Sequence, residues 1–307
     1  MLFKFSLQEF QSDREYRNIS NRTLTSYMNV MKEFHEFAIK YEVVNLEDCT
    51  MSIVKNYLIY CQKQRGNNPT TVNHKLHVLK IFFNYFEKEL EIFNPKTNPT
   101  KRLMYTKEDV KIEVFSDEQI KQMLKYYQKL KYRDKSLYAY RGYFLIIWLL
   151  GSACRLGETA NLKWTDVDLL NGVVTIMGKK RTASSIPMTD KLKSEFLEYK
   201  MFMEHTFKTL PEFVFTDRWG KPLTDNAIKC IFKHLKGNMN FKNVRLSAHT
   251  FRHTAAHRML VAGASVATIQ KILRHANVSM TLRYFALWGT ALKSENDKFN
   301  PLNNIDV

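Results

Sequence analysis

The sequence has 307 residues, of which 45% are hydrophobic and 25% are charged. This balance is close to that of average soluble proteins, so it argues against a disordered chain, and the length favours two domains. Lys and Arg number 47 against 30 Asp and Glu, a formal charge of +17, which favours a polyanionic partner such as nucleic acid.

The positive charge is unevenly distributed along the chain. Residues 1–112 carry 17 basic and 13 acidic side chains, whereas residues 113–307 carry 30 and 17. The second part therefore holds most of the attraction for a polyanion. From charge alone, a solvated basic surface and a ribosomal-type or membrane-surface protein remain open alternatives.

The cysteines and the apolar stretches predict where the protein acts. The four cysteines are scattered and form no CxxC pair, which is typical of reduced thiols in a cytosolic protein and unlike a disulfide framework or a zinc site. Residues 1–10 have no continuous apolar run, so no signal peptide is predicted. The longest apolar stretch, residues 143–154, is too short to cross a bilayer. We therefore expect a cytoplasmic protein with no membrane association.

The first hundred residues are predicted to be helical. Apolar residues recur at three- and four-residue steps over 24–38 and over 72–90, which marks two helix faces, and a further helix is expected between Thr50 or Ser52 and Gly66. Four basic residues lie within the 72–90 stripe and could face a phosphate backbone or simply form a solvated face: His74, Lys75, His77 and Lys80.

A linker is predicted over residues 95–112. Asn94-Pro95 and Asn98-Pro99 bias the chain away from helix, and a mixed charged run follows them. Ser116 and Gln119 then form a capping-box pattern that opens a new helix. We therefore expect a helical domain over 1–94 and a second domain over 113–307.

The second domain is predicted to mix helix and strand. The short β-branched run 173–177 indicates a strand, the GKKR sequence at 178–181 a turn, and residues 184–188 the returning strand of a hairpin. The remaining elements are predicted as helices, over 141–151, 224–235, 250–262 and 265–273, with a last short helix that starts at Ser279 and carries Tyr284.

Several common chemical motifs are missing. The sequence contains no GxxxxGK phosphate loop, so use of ATP or GTP is not expected, and it contains no GxSxG elbow. His249 and His253 have the i, i+4 spacing of a zinc helix, which His257 extends by a turn. A metalloprotease needs Glu where Thr250 stands, and the cation of Arg252 would repel a divalent metal. No metal site is therefore predicted.

Basic residues in four separate segments are followed by one tyrosine. In chain order they are Arg155 with Glu158, Lys179 on the predicted hairpin turn, His249 with Arg252, His275, and Tyr284 nine residues later. This series resembles the pattern of the phage-integrase type of tyrosine recombinase, which reads Arg-x-x-Glu, a hairpin Lys, His-x-x-Arg, His or Trp, and Tyr. Each motif alone would be weak evidence, but all of them in order and at family-like spacing are specific.

The resemblance covers residues 113–298 by motif, and two positions depart from it. Ala153-Cys154 stand where the family often has Gly-Leu, and Arg274 stands where it often has Gly before the second His. Neither departure removes a catalytic group. Over residues 1–112 the resemblance depends only on the predicted helices and their basic faces.

The resemblance implies a fold that is mainly α with a small β-sheet. An N-terminal helical core-binding (SAM-like) domain would precede an α/β catalytic domain. The implied activity is site-specific recombination, in which DNA is cut and rejoined through a covalent 3′-phosphotyrosine on Tyr284, without metal or other cofactor. The alternatives are a type IB topoisomerase, which shares the tyrosine chemistry, and a catalytically inactive DNA-binding protein.

Each residue of the pattern has an expected role. The planar guanidinium groups of Arg155 and Arg252 suit the non-bridging phosphate oxygens, and nearby cations should lower the pKa of the Tyr284 phenol. The resemblance implies that Lys179 protonates the departing 5′ oxygen. It further implies that His249 is the acid/base partner of the tyrosine and that His275 hydrogen-bonds the same phosphate.

The implied partner is double-stranded DNA, held by several copies of the chain. Candidate contacts to the phosphate backbone, which could also be solvated turn residues, are Lys180, Arg181, Lys242 and Arg245. The resemblance implies a homotetramer on two DNA sites. The tail 285–307 could pack on a neighbouring protomer or on its own domain.

Overall fold

The computed structural model describes residues 1–108, 111–178 and 183–287, and the chain divides into two compact units, residues 1–110 and 111–307. Together they are mainly α-helical with one small three-stranded sheet, which confirms the predicted fold class. No helix within the described ranges is long and apolar enough to span a bilayer.

The first unit is built from four helices, α1 (Phe3–Tyr16), α2 (Asn21–Ile39), α3 (Met51–Lys63) and α4 (Pro69–Lys88), with a 3-10 turn at Leu46–Asp48. Capping residues set three of the starts: the side chains of Ser20, Thr50 and Asn68 each accept a backbone N–H three residues on. An aromatic core packs between the helices and includes Phe3, Phe10, Phe34, Phe82 and Phe83.

One basic residue of α4 contradicts its predicted environment. Lys75 was expected on a face turned to phosphate or solvent, but its side chain is buried and contacts the carboxylate of Glu33. The neighbouring His74 and His77 are exposed, as the prediction requires. The apolar periodicity of α4 does not predict a buried lysine beside Leu76. The contact with Glu33 on α2 explains why Lys75 is buried.

The segment 95–108 forms no helix and packs onto α4. Asn98 is buried and donates from Nδ2 to Asn84 Oδ1 at 3.1 Å and to Glu87 Oε2 at 2.6 Å. Asn73 donates to the Thr106 carbonyl at 2.8 Å. Asn73 thus satisfies a backbone carbonyl of this stretch, whose prolines prevent helix formation, and Asn98 ties it to side chains of α4.

The second unit contains eight helices and the sheet within its described residues. Their bounds are α5 (Asp117–Asp134), α6 (Leu137–Ser152), α7 (Leu156–Ala160), β1 (Val167–Asp168), β2 (Val173–Met177), β3 (Ala183–Pro187), α8 (Asp190–Phe207), α9 (Asp225–Met239), α10 (Ala248–Val261), α11 (Val266–Leu273) and α12 (Val278–Leu287). A 3-10 turn at Trp164–Asp166 precedes β1.

Local signals in the second unit are confirmed. Ser116 and Gln119 form the reciprocal capping box at the start of α5. The antiparallel pair β2 and β3 runs from Val173 opposite Pro187 to Met177 opposite Ala183, which is the predicted hairpin. The sheet order is β1-β2-β3. Of the predicted turn 178–181, residues 179–181 lie outside the described residues.

Two hydrophobic clusters position the elements that carry the site. The larger cluster surrounds α6, where Phe144 and Trp148 are buried against Phe196 of α8. A smaller cluster joins α10, α11 and α12 and includes Leu260, Leu273 and Tyr284. The end of α6, the start of α10 and the α11–α12 segment therefore converge in one region.

Candidate active site

The two departures from the family pattern both lie in left-handed backbone. Ala153, which ends α6, has a φ of 52°, and Arg274, which ends α11, has a φ of 54°. Glycine adopts this conformation without the steric cost that a Cβ brings, which explains why the family often has Gly at both positions. The backbone turns at these two residues deliver Arg155 and His275 to the site.

Arg155 caps the N-terminus of α7 and is held by one carboxylate. Its Nη1 donates to Glu158 Oε1 at 2.6 Å, its backbone N–H donates to Glu158 Oε2 at 2.9 Å, and its Nη2 donates to the Arg274 carbonyl at 3.1 Å. The side chain keeps 40% of its surface exposed. The ion pair with Glu158 therefore orients the guanidinium while leaving it accessible.

Glu158 is shared between two arginines. Arg274 Nη2 donates to Glu158 Oε2 at 2.8 Å, in addition to the contacts from Arg155. Burial alone would raise the pKa of Glu158, but the Arg155 backbone N–H and the Arg274 and Arg155 guanidinium groups outweigh it and hold that pKa below its ordinary value. Glu158 is thus ionised and offers one negative charge to two cations.

Arg252 is buried on α10, with 3% of its surface exposed. Its Nη1 donates to the Ala153 carbonyl at 2.7 Å and its Nη2 donates to the Leu273 carbonyl. Burial, followed by repulsion from Arg155 and Arg274, lowers the pKa of Arg252 to about 10, so it stays charged at neutral pH. Carbonyl dipoles orient this cation without cancelling its charge, which leaves it ready for an anion.

His275 follows the turn at Arg274 and is buried. Its Nδ1 lies 2.8 Å from the Thr281 hydroxyl, and its backbone N–H donates to the Gln270 carbonyl at 3.1 Å. Burial and the charges of Arg252, Arg155 and Arg274 lower the pKa of His275 to about 4, so the ring is neutral at pH 7. The contact with Thr281 fixes Nδ1 and leaves Nε2 for another partner.

Tyr284 lies on α12 with 3% of its surface exposed. Its hydroxyl is 2.8 Å from His253 Nδ1, and its ring is parallel to that of His275 at a centroid distance of 6.3 Å. Burial raises the pKa of Tyr284, and Arg252 offsets this only in part. The cation of Arg252 lowers this pKa, as expected, but desolvation of the phenolate is the larger effect in the free protein, so the net shift is upward.

His249 and His253 occupy successive turns of α10. His249 is exposed, and its ring meets the His253 ring edge-to-face at a centroid distance of 4.0 Å. In the sequence His253 enters only as part of the rejected zinc pattern, yet it is the histidine found within hydrogen-bond distance of the Tyr284 hydroxyl. The i, i+4 spacing from His249 is the signal that both rings share one helix face.

A cavity of about 860 Å³ lies in front of these groups. Its described lining includes Arg155, His249, Arg252, His253 and His275. The lining also contains five further Lys and Arg side chains and one carboxylate, that of Glu113. These residues are Lys111, Lys229, Lys233, Lys236, Arg245 and Glu113. The cavity is therefore strongly basic.

The lining includes a row of lysines that the sequence did not single out. Lys229, Lys233 and Lys236 are exposed on α9 at i, i+4 and i+7, so they form one helix face. Of the predicted phosphate contacts, Arg245 lines the cavity, whereas Lys242 is exposed and does not belong to its lining.

Three predicted residues, Lys179, Lys180 and Arg181, lie outside the described residues, as does most of the tail 285–307. The four cysteines are free thiols, and Cys154, which directly precedes Arg155 in the chain, is buried. Within the described ranges, no group of three or more His, Cys, Asp or Glu side chains could hold a metal ion.

Family comparison decides the identity. The model of the phage integrase family matches residues 113–288, and that of the phage integrase N-terminal SAM-like domain matches residues 7–91. This chain belongs to the phage integrase family. As a member it is a tyrosine site-specific recombinase, with a SAM-like domain ahead of the integrase domain, which confirms the resemblance seen in the sequence.

Relatives and solved structures agree with this assignment. The tyrosine recombinase XerC of Listeria innocua serovar 6a is 26% identical over 291 residues, which are 93% of each chain, and XerC of Staphylococcus haemolyticus is 25% identical over 87% of each. The Tn1549 transposon integrase in complex with transposon right end DNA is 20% identical, with a TM-score of 0.74 over 92% of this chain and 94% of that one. A lambda integrase dimer bound to a core site gives 0.73 at 15% identity, over 92% and 77%. The structural likenesses show a common fold.

Proposed function

We propose that this recombinase cuts and rejoins double-stranded DNA at specific sites through a 3′-phosphotyrosine on Tyr284, as in integration, excision or resolution. The observation that carries the proposal is the convergence of Arg155, Arg252, His249 and His275 on one basic cavity, with His253 linking the cavity to the tyrosine hydroxyl. A phosphodiester is the ligand that such an arrangement of cations favours.

The two arginines stabilise the charge of the transition state. Arg155 is oriented by Glu158 and Arg252 by two carbonyls, so neither needs to reorganise when a phosphate enters. Preorganised donors of this kind stabilise developing charge more than water does, and they act here where other enzymes use a metal ion. His249 acts as an acid/base group of the cavity, and His275 donates from Nε2 to the same phosphate.

The bond changes balance without a nucleotide. The Tyr284 oxygen forms a bond to phosphorus as the phenol proton passes to a neighbouring histidine, and the bond from phosphorus to the 5′ oxygen breaks. Lys179 gives the leaving oxygen its proton. A 5′ hydroxyl of a second strand reverses these steps and joins the DNA, because the phosphotyrosine keeps the energy of the original bond.

The rest of the basic surface binds the DNA backbone. Lys229, Lys233, Lys236 and Arg245 in the cavity, together with Lys180, Arg181 and Lys242, contribute charge that sets affinity rather than site choice. The proposed assembly is a homotetramer on two DNA sites, and the proposed place of action is the cytoplasm. The DNA in the solved integrase complexes supports this partner.

A covalent adduct is the first test. The full chain is incubated with a pool of nicked duplexes whose core is randomised, in EDTA and without nucleotide, and protein-bound DNA is recovered after denaturation and sequenced. We expect an enriched site in adducts of the wild type and none with Tyr284→Phe. If neither protein forms an adduct while both bind DNA, the protein is a binding protein without cleavage activity.

A second assay separates recombination from topoisomerase activity. A plasmid carrying two copies of the enriched site should be resolved into two circles by the wild type. Relaxation of a supercoiled plasmid without exchange between the sites would instead identify a type IB topoisomerase.

A further inference from the structure

A row of three rings runs from the cavity to the nucleophile. His249 contacts His253 at a centroid distance of 4.0 Å, and the His253 ring lies 5.5 Å from that of Tyr284. We infer that His253 is the general base that accepts the phenol proton of Tyr284 during attack on the phosphate. This inference rests on the proposed function, and it identifies the neighbouring histidine that accepts the proton there as His253.

The geometry suits proton transfer. His253 Nδ1 lies 2.8 Å from the Tyr284 hydroxyl, within the range in which a positioned base abstracts a proton. A neutral ring that carries its hydrogen on Nε2 leaves the Nδ1 lone pair free, so the phenol donates and Nδ1 accepts. The ring also lines the cavity, so the base lies between the nucleophile and the place of the phosphate.

Burial and the surrounding charges together disfavour protonation of His253 in the free protein. The groups that face His253 are His249 and Arg252 on its own helix, His275 after α11, and Tyr284 on α12. Burial and the first three of these lower the pKa of His253 to about 4, while burial raises the pKa of Tyr284. The proton therefore stays on the phenol in the free protein.

A bound phosphate weakens this preference. Its negative charge next to Arg252 and Arg155 offsets the field that disfavours a protonated His253. Proton transfer then accompanies the new bond from oxygen to phosphorus, and rejoining returns the proton from His253 to Tyr284. The nucleophile is thus activated by its own substrate, which restricts the phenolate to the DNA-bound enzyme.

The test compares rates of adduct formation in a single turnover on the enriched nicked duplex at saturating DNA. His253→Asn places an amide atom near Nδ1 and preserves hydrogen bonding but cannot take a proton. His253→Ala opens space at the cavity for added imidazole. His257→Asn, one turn further along α10, is the matched control, and His249→Ala with added imidazole tests the other cavity histidine.

We expect His253→Asn and His253→Ala to lose about 10²- to 10⁴-fold in rate with unchanged DNA affinity, as removal of a general base does. Imidazole should accelerate His253→Ala at least tenfold and leave His253→Asn unchanged. Should His253→Ala fail to fold, 3,5-difluorotyrosine at position 284 replaces this test, because its more acidic phenol should restore the rate of His253→Asn. His257→Asn should stay within twofold of the wild type.

A wild-type rate for His253→Asn would overturn the inference, since hydrogen bonding alone would then suffice. Failure of imidazole to restore the rate of a folded His253→Ala would also overturn it, as would failure of difluorotyrosine to restore the rate of His253→Asn where that test replaces the first. The inference would also be overturned if imidazole accelerated His249→Ala and did not accelerate His253→Ala. Absence of an adduct with the wild type would instead contradict the proposed function, so the two failures are distinguishable.

Discussion

The two units treat their buried charges in different ways. In residues 1–110, buried Lys75 contacts the carboxylate of Glu33, which also pairs with Arg65 at 2.6 Å and accepts a hydrogen bond from Tyr57 at 2.9 Å. In residues 111–307, buried Arg252 donates to backbone carbonyls, and Arg155 and Arg274 share the one carboxylate of Glu158.

The difference separates a structural charge cluster from a ligand site. Burial would raise the pKa of Glu33, but Lys75, Tyr57 and Arg65 more than offset it, so the buried cation Lys75 is balanced by an ionised carboxylate while the second cation, Arg65, is exposed. The cluster of the second unit keeps an excess of positive charge and opens on a cavity. Uncompensated buried charge is unfavourable in isolation, so its presence indicates an anion that completes it.

The largest effect should come from removing the uncompensated cation. We expect Arg252→Ala to slow covalent adduct formation by about 10³-fold, because a preorganised donor to the transition state is lost. Arg252→Lys should recover less than a tenth of the wild-type rate, since it keeps the charge but not the planar fork. The matched change in the balanced cluster, Lys75→Met, should leave the rate per folded molecule unchanged. Equal losses of adduct-formation rate for Arg252→Ala and Lys75→Met would contradict the proposed difference between the two clusters.

The lysine row of the cavity should control affinity next. Replacing Lys229, Lys233 and Lys236 with Gln should weaken DNA binding about 10- to 100-fold near 0.15 M salt and reduce the slope of log affinity against log salt by about 2 to 3. The matched control replaces three exposed lysines on α5, Lys121, Lys125 and Lys129. Fluorescence anisotropy titrations at several salt concentrations measure both quantities. A control triple variant that loses as much would show that total charge matters and the cavity does not.

The balanced cluster should instead control the stability of the first unit. Lys75→Met leaves Glu33 partly buried with Arg65 as a remaining partner, so we expect a loss of about 2 kcal/mol in the free energy of unfolding. Lys75→Met combined with Glu33→Gln should recover part of this loss because no carboxylate is left behind. Urea unfolding of the full chain, with hydrogen exchange to assign the affected peptides, checks this. Destabilisation of peptides from residues 111–287 would contradict it.

The smallest effect is a pH dependence of the second unit. His253 and His275 have folded-state pKa values of about 4 against an ordinary 6.5, so between these values the unfolded chain binds more protons. Their contribution to stability is therefore complete above pH 6.5 and declines as the pH falls towards 4. We expect the melting temperature of this unit to fall by about 5 °C from pH 7.5 to pH 5.5. His253→Gln should reduce that fall, and a melting temperature that rises on acidification would contradict the sign.

Local chemistry made much of the fold and part of the site predictable. The capping box of Ser116 and Gln119, the hairpin of β2 and β3, and the apolar stripes of the first unit depend on neighbours within a few residues. The order and spacing of the recombinase pattern identify the family in the same way, since they are properties of the chain itself.

The tertiary structure alone decided which charges are balanced. Nothing near Lys75 in the sequence reveals Glu33, which is 42 residues away, and nothing near α9 reveals that its lysines line the cavity. The contact of His253 with Tyr284 likewise joins residues 31 apart. Burial and electrostatic pairing depend on which elements pack together, and periodicity along one element does not carry that information.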